Sequence, residues 1–361
     1  MRYAQRTWHN TEGSMAVYTS INDPSVYFQT ALWTGDGGNL SVTNDGNSNL
    51  QPDFIWAKRR DDSGNHVLAD SRRGGAAHLR INTTDAESQF GGLNFSFVTD
   101  GFTSSGSTLN ESSRTFVGWQ WKVDGGTSTS FSESGSQIGG SRQVNTTAGI
   151  SLITYTGNGS SDSTIPHGLG VTPEYVMVKN RGDSDEWVSN GSVLGNYTRL
   201  HPNGTSAAAS GQGSHDYIKY PDTNATNLVT GVVHNRSNND GDTYMAWCFA
   251  SKQGFSKLGT YEGNGDADGT FVYTGFKPAW LMIKRTDSSA NWHIYDNKRD
   301  VTNIVETAIA GNNDGAEYTT SNKLDFLSNG FKLKGASQTT TNADGGEYFY
   351  MAFAASPFVS S

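Results

Sequence analysis

The chain has 361 residues, including 43 glycines, and a formal net charge of −9, a length that favours two or three cores. The 26 Lys and Arg residues are scattered among 35 Asp and Glu, which excludes the clustered basic surface of a nucleic-acid-binding protein. The single cysteine, Cys248, excludes an intramolecular disulfide, and an aromatic content of 11% excludes a disordered chain.

Turn-forming residues combined with aromatic and β-branched residues predict an all-β fold. At the start of the chain, residues 1–30 stand apart from the repeats that follow. We expect this segment either to attach the chain to a larger assembly or to complete the first unit with a strand. Met15 is an alternative start within it.

A motif that begins with proline occurs three times. Each copy follows an aromatic residue and a Gly-x-Gly turn, and it is apolar on both faces until it ends in lysine. The copies are Pro52–Lys58, Pro173–Lys179 and Pro278–Lys284, separated by 121 and 105 positions. This pattern predicts strands that are covered on both sides, with proline at the position where it costs no ladder hydrogen bond.

A second motif closes each unit in the same order, at Thr115–Lys122, Thr243–Ala250 and Glu347–Ala354. Large and smaller side chains alternate, which predicts a strand whose large face fills a sandwich core. The large residues are Val117, Trp119, Trp121; Met245, Trp247, Phe249; Phe349, Met351 and Phe353. Two motifs that keep their order and approximate spacing indicate an internal repeat.

The domain organisation follows from this repeat. We predict three tandem related β-sandwich units, jelly-roll or lectin-like, at residues 31–124, 148–250 and 251–361. Residues 125–147, almost free of bulky groups, are predicted to be a Gly/Ser/Thr linker. The second and third units lack such a linker and are expected to share an interface. A closed ring of three is less favoured, because propellers usually have at least four blades.

The loop Asn264-x-Asp266-x-Asp268-Gly269 resembles the start of a calcium-binding loop. Such a loop needs a bidentate glutamate at position twelve, where this chain has Gly275. A Gly/Asn turn between strands is the favoured interpretation, so Asn264, Asp266 and Asp268 remain weak metal candidates and no cofactor is expected.

Catalytic patterns are weak. Ser214, His215 and Asp216 are adjacent, whereas a working triad is assembled from separated positions. A pair of glycosidase carboxylates needs only proximity in space, which leaves a polysaccharide-degrading enzyme as the third alternative. We expect a protein that is not an enzyme.

Candidate ligand-binding residues come from repeated positions. Trp187 and Trp292 align at an offset of 105 and have polar neighbours, as in sugar sites, although core tryptophans are the favoured alternative. Asp296 and Arg299 repeat the spacing of Asp70-x-x-Arg73. These charged residues, and the lysines that end the proline-initiated strands, are expected to form structural ion pairs, with a ligand site in each unit as the alternative.

The motifs TYTGNG, VTPEYVMVKNR, YMAWCFA, and the stretch from Gly259 to Arg299 together resemble a repeat family in structural proteins of marine tailed phages, often called tail fibre proteins. The resemblance covers nearly the whole chain from Met15, and His66 replaces the tryptophan found at Trp187 and Trp292.

This resemblance implies a virion protein made in the host cytoplasm, a tail fibre or a capsid-attached fibre or knob. It would contact other virion proteins and a host surface glycan or protein by non-catalytic binding, as a homo-oligomer, with trimers typical of such fibres. It transfers no catalytic or receptor residue. No nucleic-acid partner and no membrane insertion are expected. The alternative is a bacterial carbohydrate-binding protein or adhesin.

Overall fold

The computed structural model describes residues 19–89, 94–213, 217–335 and 339–357. These residues form antiparallel sheets, which confirms the predicted all-β class. The helical elements in these ranges are short: α1 (Ser107–Asn110) and the 3-10 helices Pro24–Val26 and Ser192–Leu194. Across the same ranges, no helix has the length and apolar content needed to cross a membrane.

The strands are numbered in chain order. The first third of the chain contains β1 (Phe28–Thr34), β2 (Asn39–Val42), β3 (Phe54–Arg59), β4 (Val67–Asp70), β5 (Ala77–Leu79), β6 (Ser88–Gln89), β7 (Asn94–Val98), β8 (Gly101–Ser105) and β9 (Thr115–Trp121). The middle third contains β10 (Thr129–Phe131), β11 (Gly140–Asn145), β12 (Ile150–Thr156), β13 (Thr164–Pro166), β14 (Tyr175–Asn180), β15 (Val188–Asn190), β16 (Thr198–Leu200), β17 (Ala209–Ser210), β18 (Asn227–Val229) and β19 (Thr243–Phe249). The last third contains β20 (Ser256–Glu262), β21 (Asp268–Tyr273), β22 (Phe276–Arg285), β23 (Trp292–Asp296), β24 (Val305–Ala310), β25 (Tyr318–Leu327), β26 (Gly330–Lys334) and β27 (Glu347–Pro357).

Three large sheets share one strand arrangement. The first sheet has the order β1-β9-β3-β4-β5-β6, the second β10-β11-β12-β19-β14-β15-β16-β17, and the third β20-β27-β22-β23-β24-β25-β26-β21. In each sheet the strand with the closing motif (β9, β19 or β27) lies between the first strand of the repeat and the proline-initiated strand. The sequence repeat is therefore also a repeat of strand order.

The bulky faces of the three sheets meet in one common core, which contains the nine large residues of the closing motifs. Aromatic rings from different sheets touch there: the ring centres of Trp121 and Trp280 are 5.8 Å apart, and those of Tyr175 and Phe349 are 4.7 Å apart. We expected each large face to fill a core within its own unit. Instead, the three faces fill one core, so three sheets suffice to close around it.

The smaller faces pack against second layers of strands. In the first sheet, Ile55, Ala57 and Phe116 form a separate cluster with residues of the three-stranded sheet β2-β8-β7. Gly118 lies on this face, and an added Cβ would lie 3.0 Å from the ring of Trp33. Small residues at these positions are therefore required by the close approach of the second layer, and each sheet is covered on both sides.

Residues 125–147 do not form the predicted linker. They contain β10 and β11, and β11 pairs with β12 over its whole length. Gly140 explains why small residues suit a strand here, because an added Cβ would lie 2.4 Å from Thr154 O. At the other end of the first repeat, β1 begins at Phe28, inside the predicted N-terminal segment 1–30. The attachment role of that segment stays a prediction, since residues 1–18 lie outside the described ranges.

Candidate functional site

The three large sheets are joined in a ring by the same pair of backbone hydrogen bonds at each interface. The N–H to O pairs are Glu87 to Arg181 and Asp185 to Thr84 between the first and second sheets, Glu317 to Arg60 and Gly64 to Asp314 between the third and first, and Ala208 to Thr286 and Ala290 to Thr205 between the second and third. All six N···O distances are between 2.7 and 2.9 Å. These matched bonds allow side chains at the three interfaces to be compared position by position.

Trp187 and Trp292 lie at two of these interfaces. Trp187 has no exposed surface and Trp292 is 2% exposed. The Trp187 indole donates to Arg80 O of the first sheet at 3.1 Å, and the Trp292 indole donates to His201 O of the second sheet at 3.2 Å. Their position corrects the sugar-binding interpretation, because a buried indole that joins two sheets has no free face for a ligand.

His66 occupies the same position at the interface of the third and first sheets. Its Nε2 lies 3.1 Å from Ala310 O, and its Nδ1 accepts a hydrogen bond from the Trp56 indole at 2.8 Å. These two partners require the neutral tautomer with the proton on Nε2. Burial, together with the nearby Lys58 ammonium, lowers the pKa of His66 to about 3. The imidazole of His66 and the indoles of Trp187 and Trp292 therefore donate equivalent hydrogen bonds, one at each interface.

Asp296 and Arg299 form a buried ion pair with an O···N distance of 2.6 Å. Trp119 of the first sheet donates its indole N–H to Asp296 at 3.1 Å, and the Arg299 guanidinium lies 5.8 Å from the Trp119 ring centre. Arg299 lies 3.7 Å from Glu317, which accepts two hydrogen bonds of 2.9 Å from Arg60. This network joins the third sheet to the first, so the pair is structural and is not open to a ligand.

The interface of the first and second sheets has the same ionic network, but without the hydrogen bond from the tryptophan indole to the aspartate. Arg73 lies 2.6 Å from Asp70 and 3.0 Å from Glu87, and Arg181 lies 2.7 Å from Glu87. The Arg73 guanidinium lies 5.5 Å from the ring centre of Trp247, which corresponds to Trp119. Although burial opposes ionisation of Glu87, hydrogen bonds from Arg181 and the charge of Arg73 hold the pKa of Glu87 below its usual value.

The interface of the second and third sheets lacks the whole network. Gly191, Leu194, Ala208 and Thr286 occupy the positions of the Asp, Arg, Glu and Arg, and Met351 occupies the position of the tryptophan. An aspartate could not replace Gly191, because an added Cβ would lie 2.2 Å from Glu174 O. All five members are replaced together, which is expected if each member is stable only in the presence of the others.

A cleft of about 540 Å³ lies at this third interface. Its lining combines small apolar groups, hydroxyls and carboxylates: Val193, Leu194, Thr198, Ala208, Ser210, Thr260, Tyr261, Glu262, Thr286, Asp287 and Glu347. Ala208 and Thr286 are the two residues that take the place of the interfacial Glu and Arg. We define these eleven residues as the interface cleft. Its volume lies in the range of small-molecule sites.

The interface cleft is electronegative. Glu262 and Glu347 are directly opposed on β20 and β27, and neither is in an ion pair within the described part of the chain. Asp287 is held by Arg285 through two hydrogen bonds of 2.8 and 2.9 Å, which keep the pKa of Asp287 below its usual value. The described lining contains no Lys, Arg or His. The cleft can therefore accept hydrogen bonds strongly and disfavours anions.

The remaining sequence candidates lie elsewhere. Asn264 accepts a hydrogen bond from Asp266 N–H, and Asp268 pairs with Lys332, so these residues form a turn closed by its own side chains. Among the described residues, no group of three His, Cys, Asp or Glu side chains could hold a metal. Ser214, His215 and Asp216 lie outside the described residues.

The three repeated lysines are buried at the ends of β3, β14 and β22. Each Nζ donates to the carbonyl of the following residue at 2.6–2.7 Å, and Lys284 also donates to Thr205 O of the second sheet at 3.1 Å. Burial lowers the pKa of Lys58, Lys179 and Lys284 to about 8. Their contacts are structural, but within the described part of the chain they are hydrogen bonds to backbone carbonyls and not the predicted ion pairs.

The interface cleft was not predicted from the sequence. The available signal was an omission: Asp-x-x-Arg occurs in the first and third repeats, while Gly191 and Leu194 occupy these positions in the second. Aligning the three repeats and asking which charged positions one of them lacks would have pointed to this interface.

A comparison with curated proteins finds no match. A family model described as a domain of unknown function, DUF7483, matches residues 23–357, which include all three large sheets. The chain therefore belongs to the DUF7483 family.

Proposed function

We propose that this protein is a structural component of a tailed-phage particle, in a tail fibre or in a fibre or knob attached to the capsid. It contacts the host cell surface by non-catalytic binding to a glycan or a protein. The phage resemblance of the repeat motifs supports the virion setting. The same resemblance supports assembly with other virion proteins after synthesis in the host cytoplasm.

The interface cleft is the observation that carries the binding part of this proposal. It is the position where a repeated ionic network is replaced as a set, and it combines apolar, hydroxyl and carboxylate groups in a volume suited to a ligand. A chain under selection for stability alone has no evident reason to omit at one interface the network it has at two.

For this proposal we treat each repeat as a β-sandwich unit, made of one large sheet and the smaller layer on its outer face. The bulky faces of the large sheets are already buried against one another within a single chain. Trimer formation is therefore not needed to cover them. The homo-oligomer stays a proposal, and the mass of the purified protein in solution decides it.

The experiment has two parts. Antibody labelling and electron microscopy of purified phage particles should locate the chain on a tail or capsid fibre. Purified protein added to host cells before infection should compete with particle adsorption. A chain found on uninfected bacteria, or missing from particles, would instead favour the bacterial adhesin alternative.

Glu262 and Glu347 also give the enzyme alternative a concrete form, because opposed residues of an antiparallel pair have Cβ atoms about 4.5–5.5 Å apart. Glycosidases need two carboxylates flanking the scissile bond. Release of new reducing ends from host polysaccharide by the wild type, lost in Glu347→Gln, would overturn the non-catalytic proposal. We expect no release.

A further inference from the structure

The side chains that line the interface cleft restrict the chemical class of ligand that it can bind. At the other two interfaces the corresponding space holds a Glu–Arg pair, which joins the sheets at 2.7 and 2.9 Å. In the interface cleft, Ala208 and Thr286 keep the same backbone bond at 2.7 Å but leave the space between their side chains open. An occupant therefore lies between the second and third sheets and contacts both.

Hydroxyl groups line both sides of this space. Thr198 and Ser210 of the second sheet lie 2.7 Å apart through their hydroxyl oxygens. Thr260 and Thr286 lie on the side of the third sheet, where the Thr286 hydroxyl donates to Glu347 O at 3.1 Å. A hydroxyl can both donate and accept, so these groups suit a ligand that is itself rich in hydroxyls.

The carboxylates of the cleft disfavour negatively charged ligands. Glu262 and Glu347 face each other as like charges, an arrangement that is destabilising in an antiparallel pair. Asp287 is held ionised beside them by Arg285. A ligand that donates several hydrogen bonds lowers this repulsion, whereas an anionic ligand increases it.

The cleft also has an apolar wall, in addition to its hydroxyl groups and carboxylates. Val193 and Leu194 pack against the common core from the side of the second sheet, and Ala208 lies beside them in the lining. These groups offer C–H surface to the less polar face of a ligand. A peptide of hydrophobic character would leave the surrounding carboxylates unpaired, which is costly.

We infer that the interface cleft binds a saccharide without acidic groups, through pairs of adjacent hydroxyl groups. This inference rests on the proposed function, since it names the ligand class of the same site. Adjacent hydroxyls match both the carboxylates as donors and the Thr and Ser side chains as donors and acceptors. The volume of the cleft accommodates a short glycan segment.

A panel of immobilised oligosaccharides tests the inference. Neutral chains of hexose and N-acetylhexosamine should retain the wild-type protein, while sialylated and glucuronate-containing counterparts should bind at least tenfold more weakly. A preference for the acidic members, or no binding to any member, would overturn the inference.

Two variants locate the binding. Ala208→Glu/Thr286→Arg copies the pair found at the other two interfaces, so it should fill the cleft, keep the fold and abolish retention. Glu262→Gln/Glu347→Gln should weaken retention at least tenfold. Glu133→Gln, at an exposed position outside the cleft, is the matched control and should bind like the wild type. Unchanged binding by the filled variant would overturn the assignment to this cleft.

The outcomes separate the two proposals. If the filled variant loses saccharide binding but the chain is absent from particles, the virion proposal fails and the ligand class stands. If the filled variant still binds the saccharide panel and still competes with particle adsorption, the chain binds through another surface. The ligand inference then fails and the proposed function stands.

Discussion

Two interfaces of the ring have the same backbone hydrogen bonds but different side chains. One joins the third sheet to the first, and the other joins the second sheet to the third. Both use two backbone hydrogen bonds of 2.7–2.9 Å at matched positions. The interface of the third and first sheets adds a buried Asp–Arg pair beside Trp119 and a partly exposed Glu–Arg pair, whereas the other interface has small or apolar residues and a cleft. The ring is therefore closed by backbone pairing and the common core, so its side chains are free to serve different purposes.

Breaking the network should have the largest effect. Asp296→Ala leaves Arg299 buried without its partner, and we expect a loss of about 3–5 kcal/mol in the free energy of unfolding. Asp287→Ala removes a partly exposed pair at the cleft and should cost no more than about 1 kcal/mol. Denaturant unfolding measures both. Equal losses of unfolding free energy in the two variants would mean that the network stabilises its interface no more than the partly exposed pair does.

Protonation of His66 should weaken the interface of the third and first sheets as the pH falls, because at the other two interfaces a tryptophan donates the equivalent hydrogen bond. The pKa of His66 is lowered to about 3 in the folded state, so the unfolded state binds more protons between pH 6.5 and 3, and stability falls as the pH falls. Between pH 7 and 4.5 this group alone accounts for about 2–3 kcal/mol.

The repeat supplies a matched variant for this prediction. The other two repeats combine methionine with tryptophan, at Met177 with Trp187 and Met282 with Trp292, where the first combines Trp56 with His66. His66→Trp alone should overpack the core, but Trp56→Met/His66→Trp should fold and lose part of the acid sensitivity. Unfolding midpoints that fall equally with pH in this variant and the wild type would contradict the assignment.

The buried lysines should act at the opposite end of the pH scale. Their pKa values are lowered to about 8, so the folded state binds fewer protons above that pH and stability rises from pH 8 to about 9.5. We expect about 1 kcal/mol per lysine over this window. Lys284→Met should remove its share, measured by unfolding at both pH values. An unchanged rise would show that other groups cause it.

Filling the cleft should have the smallest effect on stability. Ala208→Glu/Thr286→Arg adds an ion pair in a partly exposed position, worth up to about 1 kcal/mol. The single variants Ala208→Glu and Thr286→Arg are the controls and should not be stabilising. A double variant less stable than both singles would mean that the side chains do not meet across the cleft as they do at the other interfaces.

The sequence predicted the local elements well and their assembly less well. Alternation in the closing motifs identified the strands β9, β19 and β27, because one face of each must be bulky. The same pattern is compatible with a core inside each unit or shared by three, and only the packing of Trp121 on Trp280 distinguishes the two. Residues 125–147 were mistaken for a linker because their small side chains, needed under the neighbouring strand, have the composition of a flexible segment.

The candidate site was harder to predict for a physical reason. Repetition draws attention to Trp187, Trp292, Asp296 and Arg299, but residues that recur at every interface are the ones that hold the interfaces together. The cleft is formed by Ala208 and Thr286, which carry no distinctive chemistry of their own. Its polar groups gain significance only from being placed between two sheets.

The concatenation of three repeats in one polypeptide has a consequence for stoichiometry. An assembly of three identical one-repeat chains would place the same residues at every interface, so it could not be ionic at two and open at the third. Because the three repeats are joined in one chain, the sequence of each can diverge from the others. The interface cleft is therefore present once per chain rather than three times. In the proposed virion setting, multivalent attachment would then depend on how many copies of the chain one particle displays, because the internal repeats do not multiply this cleft.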